Sequence, residues 1–232
     1  MPKDAKYYSK MEPAQLNGWR RLAFRVSATA CWVWLNLFRD VKVYGRAHIP
    51  TDLRTYIVAA NHTASIDPYL LGGALYGGRK PVAYMAKQEL FDSSPLMGWY
   101  LNSVGTFSVN RNKLDLSTVK TSLAILRESD WALGLFPEGT RQKQNIETGQ
   151  LSPAKRGVAY FAQAGQAPIL PIAIGRFGDG GRAIRLHIGP LIPPPADKSD
   201  EAMGQTTHLL ETVLTDLLAE ARKTYEAGLR QA

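Results

Sequence analysis

The chain is poor in the residues that most often declare a chemistry. It has one cysteine, Cys31, and four histidines among 232 residues. A single cysteine excludes an internal disulfide and any multi-cysteine metal set, and it fits a reducing compartment. His48, His62, His187 and His208 are scattered, and no pair has ligand spacing, so no metal site is expected. The chain lacks a Gly-x-Ser-x-Gly elbow and a Gly-x4-Gly-Lys-Ser/Thr phosphate loop, which argues against a serine hydrolase and a phosphate-loop nucleotidase. Gly175–Gly181 is glycine-rich but without dinucleotide-binding spacing. Internal repeats and low-complexity tracts are absent too. Acidic residues are in deficit, 20 against 28 basic, for a net charge of +8. That excess suits an anionic partner: a phosphate substrate, an acidic membrane surface or nucleic acid. With no basic stretch interleaved with aromatics, nucleic acid is not expected.

A long apolar run is also missing. Val26 to Phe38 carries no charge, but these thirteen residues fall short of the roughly 20 that cross a bilayer. The small triplet Ala28-Thr29-Ala30 precedes the most apolar part instead of following it, which is wrong for a signal peptide. Trp19 to Phe38 reads as a helix with Arg20, Arg21 and Arg25 early and Trp19, Trp32, Trp34 and Phe38 suited to a headgroup boundary. Two readings stand side by side: a helix lying in a membrane interface, and a helix packed on the protein's own core.

What is present is a globular composition, 45% hydrophobic and 21% charged, long enough for one large domain or a domain with an appendage. From residue 41 strands and helices alternate. Strands are expected at 41–44, 56–60, 82–86, 105–109, 131–136, 169–174 and 184–188. Helices are expected at 68–75, 95–102, 117–127, 155–164 and 200–227, with a proline-rich connector at 190–195. The fold class is α/β: a single layered domain with a mixed, mostly parallel sheet flanked by helices, preceded by the N-terminal helical segment. The boundaries are 1–40 for an N-terminal helical membrane-interface segment and 41–232 for the α/β domain. Ligands gather beyond the carboxyl ends of strands in such sheets. There stand His62, Lys87, Arg111 and Glu138.

Two stretches carry chemistry. In Asn61-His-Thr-Ala-Ser-Ile-Asp67, His62 and Asp67 stand five apart, the wrong interval for one helix face. In a turn leaving a strand the carboxylate can fold back onto the imidazole, hold one ring nitrogen as N–H and leave the other free to take a proton. The competing reading makes Asp67 the cap of a helix that begins at Pro68, and on this stretch alone it is the commoner one. In Leu135-Phe-Pro-Glu-Gly-Thr-Arg141 a buried strand runs into Pro137. Glu138, the permissive Gly139, the Thr140 hydroxyl and the planar fork of Arg141 follow, a set suited to a phosphate or carboxylate.

With these stretches in view, the sequence resembles the glycerolipid acyltransferases, which include the 1-acylglycerol-3-phosphate acyltransferases. Asn61-His62 with Asp67, Gly105–Arg111, Phe136–Arg141 and Leu170–Gly175 follow the order of that family's four motifs, and the resemblance covers roughly residues 40–195. It implies that His62 is the base and Asp67 its orienting partner, with no covalent intermediate and no cofactor besides the acyl-CoA or acyl-carrier-protein co-substrate. It further implies that Arg111, Arg141 and Lys87 hold the acceptor phosphate, helped by Glu138, Gly139 and Thr140. Lys155 and Gly157 resemble a Lys-x-Gly that opens the next helix. The implied partners are an acyl thioester donor (acyl-carrier protein among the candidates), a lysophospholipid acceptor and a membrane surface, with peripheral or monotopic attachment at the cytoplasmic face. Ser108, Asn110 and Gln142 depart from the family pattern and put the acceptor in question more than the reaction. Glycerol 3-phosphate or another lyso-lipid remains an alternative acceptor, and a non-catalytic lipid-binding protein is the rival class.

Overall fold

Short apolar runs bounded by turn formers become the strands of one seven-stranded sheet. The computed structural model describes residues 16, 18–75, 80–109, 116–139 and 151–230. In chain order these are α1 (Gly18–Phe38), β1 (Asp40–Tyr44), β2 (Ile57–Ala60), α2 (Asp67–Ala74), β3 (Val82–Lys87), α3 (Gln88–Asp92), α4 (Pro95–Ser103), β4 (Phe107–Val109), α5 (Leu116–Glu128), β5 (Ala132–Leu135), α6 (Gly157–Gly165), β6 (Ile169–Phe177), β7 (Ala183–Ile188) and α7 (Asp200–Leu229). The sheet order is β1-β7-β6-β2-β5-β3-β4. Strands β2 to β6 run parallel, β7 is antiparallel to β6, and β1 is parallel to β7. Helices cover the sheet, so Ile57-Val-Ala-Ala60 is buried throughout and reads as a continuous apolar run. The expected mixed, mostly parallel α/β sheet is the one observed.

Three departures have physical causes. Strand β6 continues past Ile174 to Phe177 because β7 pairs with Gly175, Arg176 and Phe177 and supplies their ladder bonds. Helix α6 begins at Gly157 instead of 155, since the Lys155 N–H donates to the Pro137 carbonyl (2.9 Å) and ties that residue to the turn after β5. The five-residue α3 went unread because so short a helix buries only Phe91 and shows no apolar period.

Helix α1 packs on α2 at two glycines. A Cβ at Gly72 would lie 2.9 Å from Phe24 Cζ, and one at Gly73 would lie 2.6 Å from Trp32 Cε3. Phe24, Ala28 and Leu35 form its buried face. The opposite face exposes Trp19, Leu22, Val26, Val33 and Leu37. One end of α1 is tied by Arg21 to Asp130 (2.6 Å), at the entrance to β5. The other end leads into β1, whose Asp40 pairs with Ala183, itself opposite Phe177 at the carboxyl end of β6. The helix therefore crosses the sheet and finishes at the edge where β2, β3, β5 and β6 end. Among the described residues no helix is long and apolar enough to cross a membrane.

Candidate active site

The carboxyl end of β2 is fastened to β6 by a side chain acting as a peptide unit. Asn61 Nδ2 donates to the Ile174 carbonyl (3.0 Å), and the Ile174 N–H donates to Asn61 Oδ1 (2.7 Å). An amide carries a donor and an acceptor, which is what an unpaired strand residue requires. The chain then turns through His62–Ile66 into α2, and the carboxylate of Asp67 folds back into that turn.

Every side-chain bond of Asp67 points upstream or across the sheet. Its Oδ2 accepts from His62 Nδ1 (3.0 Å), from the Thr63 N–H (2.6 Å) and from the Ala64 N–H (2.7 Å). Its Oδ1 accepts from Arg176 Nη2 (2.8 Å), and the Thr63 hydroxyl lies 3.2 Å from both oxygens. The capping reading of Asp67 is therefore set aside: the residue is the first of α2, and the position before it, Ile66, has no side-chain cap bond. Asp67 is fully buried. Burial by itself would raise its pKa. The His62 hydrogen bond, the charge and hydrogen bond of Arg176 and the Ala64 N–H outweigh burial and hold the carboxyl below its ordinary range. A carboxylate only accepts, so the proton on His62 sits at Nδ1 and the lone pair at Nε2. The His62 side chain is 12% exposed where Asp67 is closed off, and its ring stacks on Phe136 at 4.0 Å between centroids. Phe136 stacks in turn on Tyr84 of β3.

The turn after β5 braces the histidine from the other side. Glu138 is buried; its Oε1 accepts the His62 N–H (3.0 Å) and its Oε2 accepts the Ser152 N–H (3.1 Å). Gly139 has φ of 76°, the left-handed region that favours glycine, and a Cβ there would lie 2.7 Å from Lys155 Nζ. The two carboxylates thus play different parts: Asp67 grips the ring of His62 and Glu138 grips its backbone. Lys87 stands exposed at the end of β3, on the same edge of the sheet, and is not among the side chains bonded to the dyad. Arg111, Thr140 and Arg141 lie outside the described residues.

One member of this cluster was not foreseen. Arg176, at the carboxyl end of β6, donates from Nε to the Thr63 hydroxyl (2.7 Å) as well as from Nη2 to Asp67. Its only sequence signal is a position two residues beyond the fourth apolar motif's Ile174, on the edge where ligands gather.

Comparison with known proteins agrees with this geometry. The family model described as Acyltransferase matches residues 40–175. A 1-acyl-sn-glycerol-3-phosphate acyltransferase of Bacillus subtilis is 33% identical over 150 residues, 65% of this chain and 70% of that protein. The Saccharomyces cerevisiae protein of the same name is 31% identical over 147 residues, 60% of this chain but only 44% of the yeast protein. In fold, the chain is similar to the crystal structure of the 1-acyl-sn-glycerophosphate acyltransferase from Thermotoga maritima. The TM-score is 0.68 at 24% identity, covering 88% of this chain and 81% of that one.

Proposed function

The chain belongs to the acyltransferase family, and from that membership we propose that it transfers a fatty acyl group from an acyl thioester to the free hydroxyl of 1-acylglycerol 3-phosphate, giving phosphatidic acid. The observation that carries this reading is the His62–Asp67 pair, 3.0 Å apart and placed at the carboxyl edge of the sheet within the matched residues. His62 Nε2 takes the hydroxyl proton as the oxygen attacks the thioester carbonyl. The new C–O bond forms, the C–S bond breaks, and the proton held by His62 passes to the departing thiolate. No covalent enzyme intermediate is needed, because a thioester already has a good leaving group. The donor is acyl-CoA or an acyl-carrier-protein thioester.

Arg111, Arg141 and Lys87 hold the acceptor phosphate, with Gly139 and Thr140 shaping that end of the site, so that the hydroxyl is presented to His62. Glu138 contributes by fixing the backbone from which His62 projects. Residues 41–232 form the acyltransferase domain. The segment up to residue 40 attaches it peripherally to a membrane at its cytoplasmic face, through the exposed apolar side of α1.

The test is acceptor-dependent thiol release. Purified protein in liposomes is given a long-chain acyl-CoA, with and without lysophosphatidate, beside His62→Ala. The expected outcome is release that needs both the acceptor and His62, with His62→Ala lowering kcat by about 10²- to 10⁴-fold. Release only from a carrier-protein thioester would move the donor assignment. Release only with glycerol 3-phosphate or another lyso-lipid would move the acceptor. No release with either donor and any of these acceptors would replace the enzyme reading with lipid binding.

A further inference from the structure

We infer that Arg176 is a positioning residue of this site: its guanidinium fixes Asp67 so that only Oδ2 faces His62, completing a His62–Asp67–Arg176 relay of contacts. This rests on the reading of His62 as the base. A free carboxylate can rotate and offer either oxygen to an imidazole. Here the two oxygens are divided. Oδ1 takes Arg176 Nη2, while Oδ2 takes His62 Nδ1 and the N–H groups of Thr63 and Ala64. The guanidinium makes a second bond from Nε to the Thr63 hydroxyl, whose own proton reaches Asp67. Two donors in one rigid plane lock the turn and the carboxylate together, which a single ammonium cannot do.

Arg176 is itself held in place. Its side chain is 10% exposed, and its backbone lies in the β6–β7 ladder opposite Ile184. The next residue, Phe177, stacks on Tyr225 of α7 at 4.9 Å. Bonds from positions 61 and 63 to positions 174 and 176 thus join two strand ends distant in sequence, and the base is aligned by the sheet. The family match ends at residue 175, one short of this arginine.

The cation also has an electrical effect. Beside His62 stand Asp67 from α2, Glu138 from the turn after β5, and, beyond Phe136, the Tyr84 phenol of β3, which burial and the nearby Asp67 keep protonated. Arg176 sets a positive charge against the carboxylate that faces the ring. Removing it leaves the negative charge beside the ring uncompensated and displaces the acid limb of the rate profile toward higher pH.

The experiment compares pH profiles of kcat and kcat/KM for wild type, Arg176→Gln, Arg176→Lys and His62→Ala, with thermal unfolding of each. Arg176→Gln is expected to lower kcat about tenfold to a hundredfold, by analogy with the partners that orient metal-ligating histidines. It should leave KM for the acceptor unchanged and move the acid limb upward. Arg176→Lys is expected to recover the position of the acid limb and part of kcat. In an Asp67→Asn background the glutamine substitution should add little, since both act on one contact. A raised acceptor KM with unchanged kcat would overturn the proposal and put Arg176 on the substrate phosphate. An unchanged limb in Arg176→Gln, with losses in both variants that track unfolding, would overturn it in favour of a structural ion pair. Should His62→Ala keep full activity, the base reading falls first. A dead His62→Ala beside a wild-type Arg176→Gln removes only the present inference.

Discussion

The turn after β2 and the outer face of α1 reverse the usual distribution of polar and apolar groups in opposite senses. At the turn, two carboxylates are buried and a guanidinium is nearly so, and they are bonded to one another or to the backbone. Along α1, two tryptophans and several aliphatic chains face outward. Buried charge and exposed apolar surface are the two arrangements that stability alone does not explain. The difference teaches what each region answers to. The turn is determined from inside the molecule, because every charge in it has a partner. Helix α1 has its inner face satisfied by α2, and within the described residues its outer face stays uncovered.

The largest expected effect comes from breaking the turn. Asp67→Asn leaves Arg176 beside a neutral amide and allows the side chain to present N–H where His62 needs an acceptor. Activity should fall by about 10²- to 10⁴-fold. Urea unfolding at pH 7 should show a loss of about 3 kcal/mol, as for other buried ion pairs deprived of one partner. The pH dependence has a definite sign. The carboxyl of Asp67 titrates below its ordinary value when folded, so its contribution is complete above the ordinary carboxylate range, about 3.9, and is lost as pH falls through the lowered value. Wild type should therefore lose stability on acidification more steeply than Asp67→Asn. Equal slopes would mean that Asp67 contributes no such linkage.

This asymmetry also explains what could be read without coordinates. The strands were legible because buried parallel strands are apolar throughout, and His62 with Asp67 was legible because both lie within one turn. Glu138 was placed at the right edge, but its grip on the His62 N–H depends on β2 and β5 being neighbours, which no spacing encodes. Arg176 was illegible for the same reason in stronger form. It reaches across 109 residues to Asp67 and follows an apolar strand whose pattern gives no hint of the antiparallel partner that extends it. On α1 the core-packing reading holds for the inner face, while the outer face is apolar and exposed. A thirteen-residue uncharged run cannot say which side of a helix is covered.

A middle-sized effect sharpens the boundary between the faces of α1. Gly73→Ala would put a Cβ 2.8 Å from Trp32 Cβ, an atom fixed to the α1 backbone, so the helix has to shift. A cost of about 1–3 kcal/mol is expected by denaturant unfolding. Gly204→Ala, inside α7 with nothing within 4 Å of the added carbon, is the control and should gain about 0.5–1 kcal/mol. Similar results at the two positions would mean that α1 is not seated on α2 in solution.

The smallest effect addresses the outer face. Leu22 and Val26 are more than half exposed and lie one turn apart on the side of α1 away from Ala28 and Leu35. Replacing both with serine removes little that the folded chain buries, so unfolding should stay within about 0.5 kcal/mol of wild type. Liposome binding should nevertheless weaken on the order of tenfold per side chain, since a fully buried aliphatic group contributes about 1.5–3 kcal/mol. The loss should be similar on neutral and anionic vesicles, because the change is in apolar area; a loss confined to anionic vesicles would place the attraction in Arg25 and its neighbours instead. The contrast with Leu35→Ser decides the matter. Leu35 is 2% exposed, and that variant should unfold more readily while retaining its outward face. If the outer pair left vesicle binding undiminished, α1 would be a core helix with an idle surface, and the route by which lipid meets His62 would have to be sought elsewhere on the sheet edge.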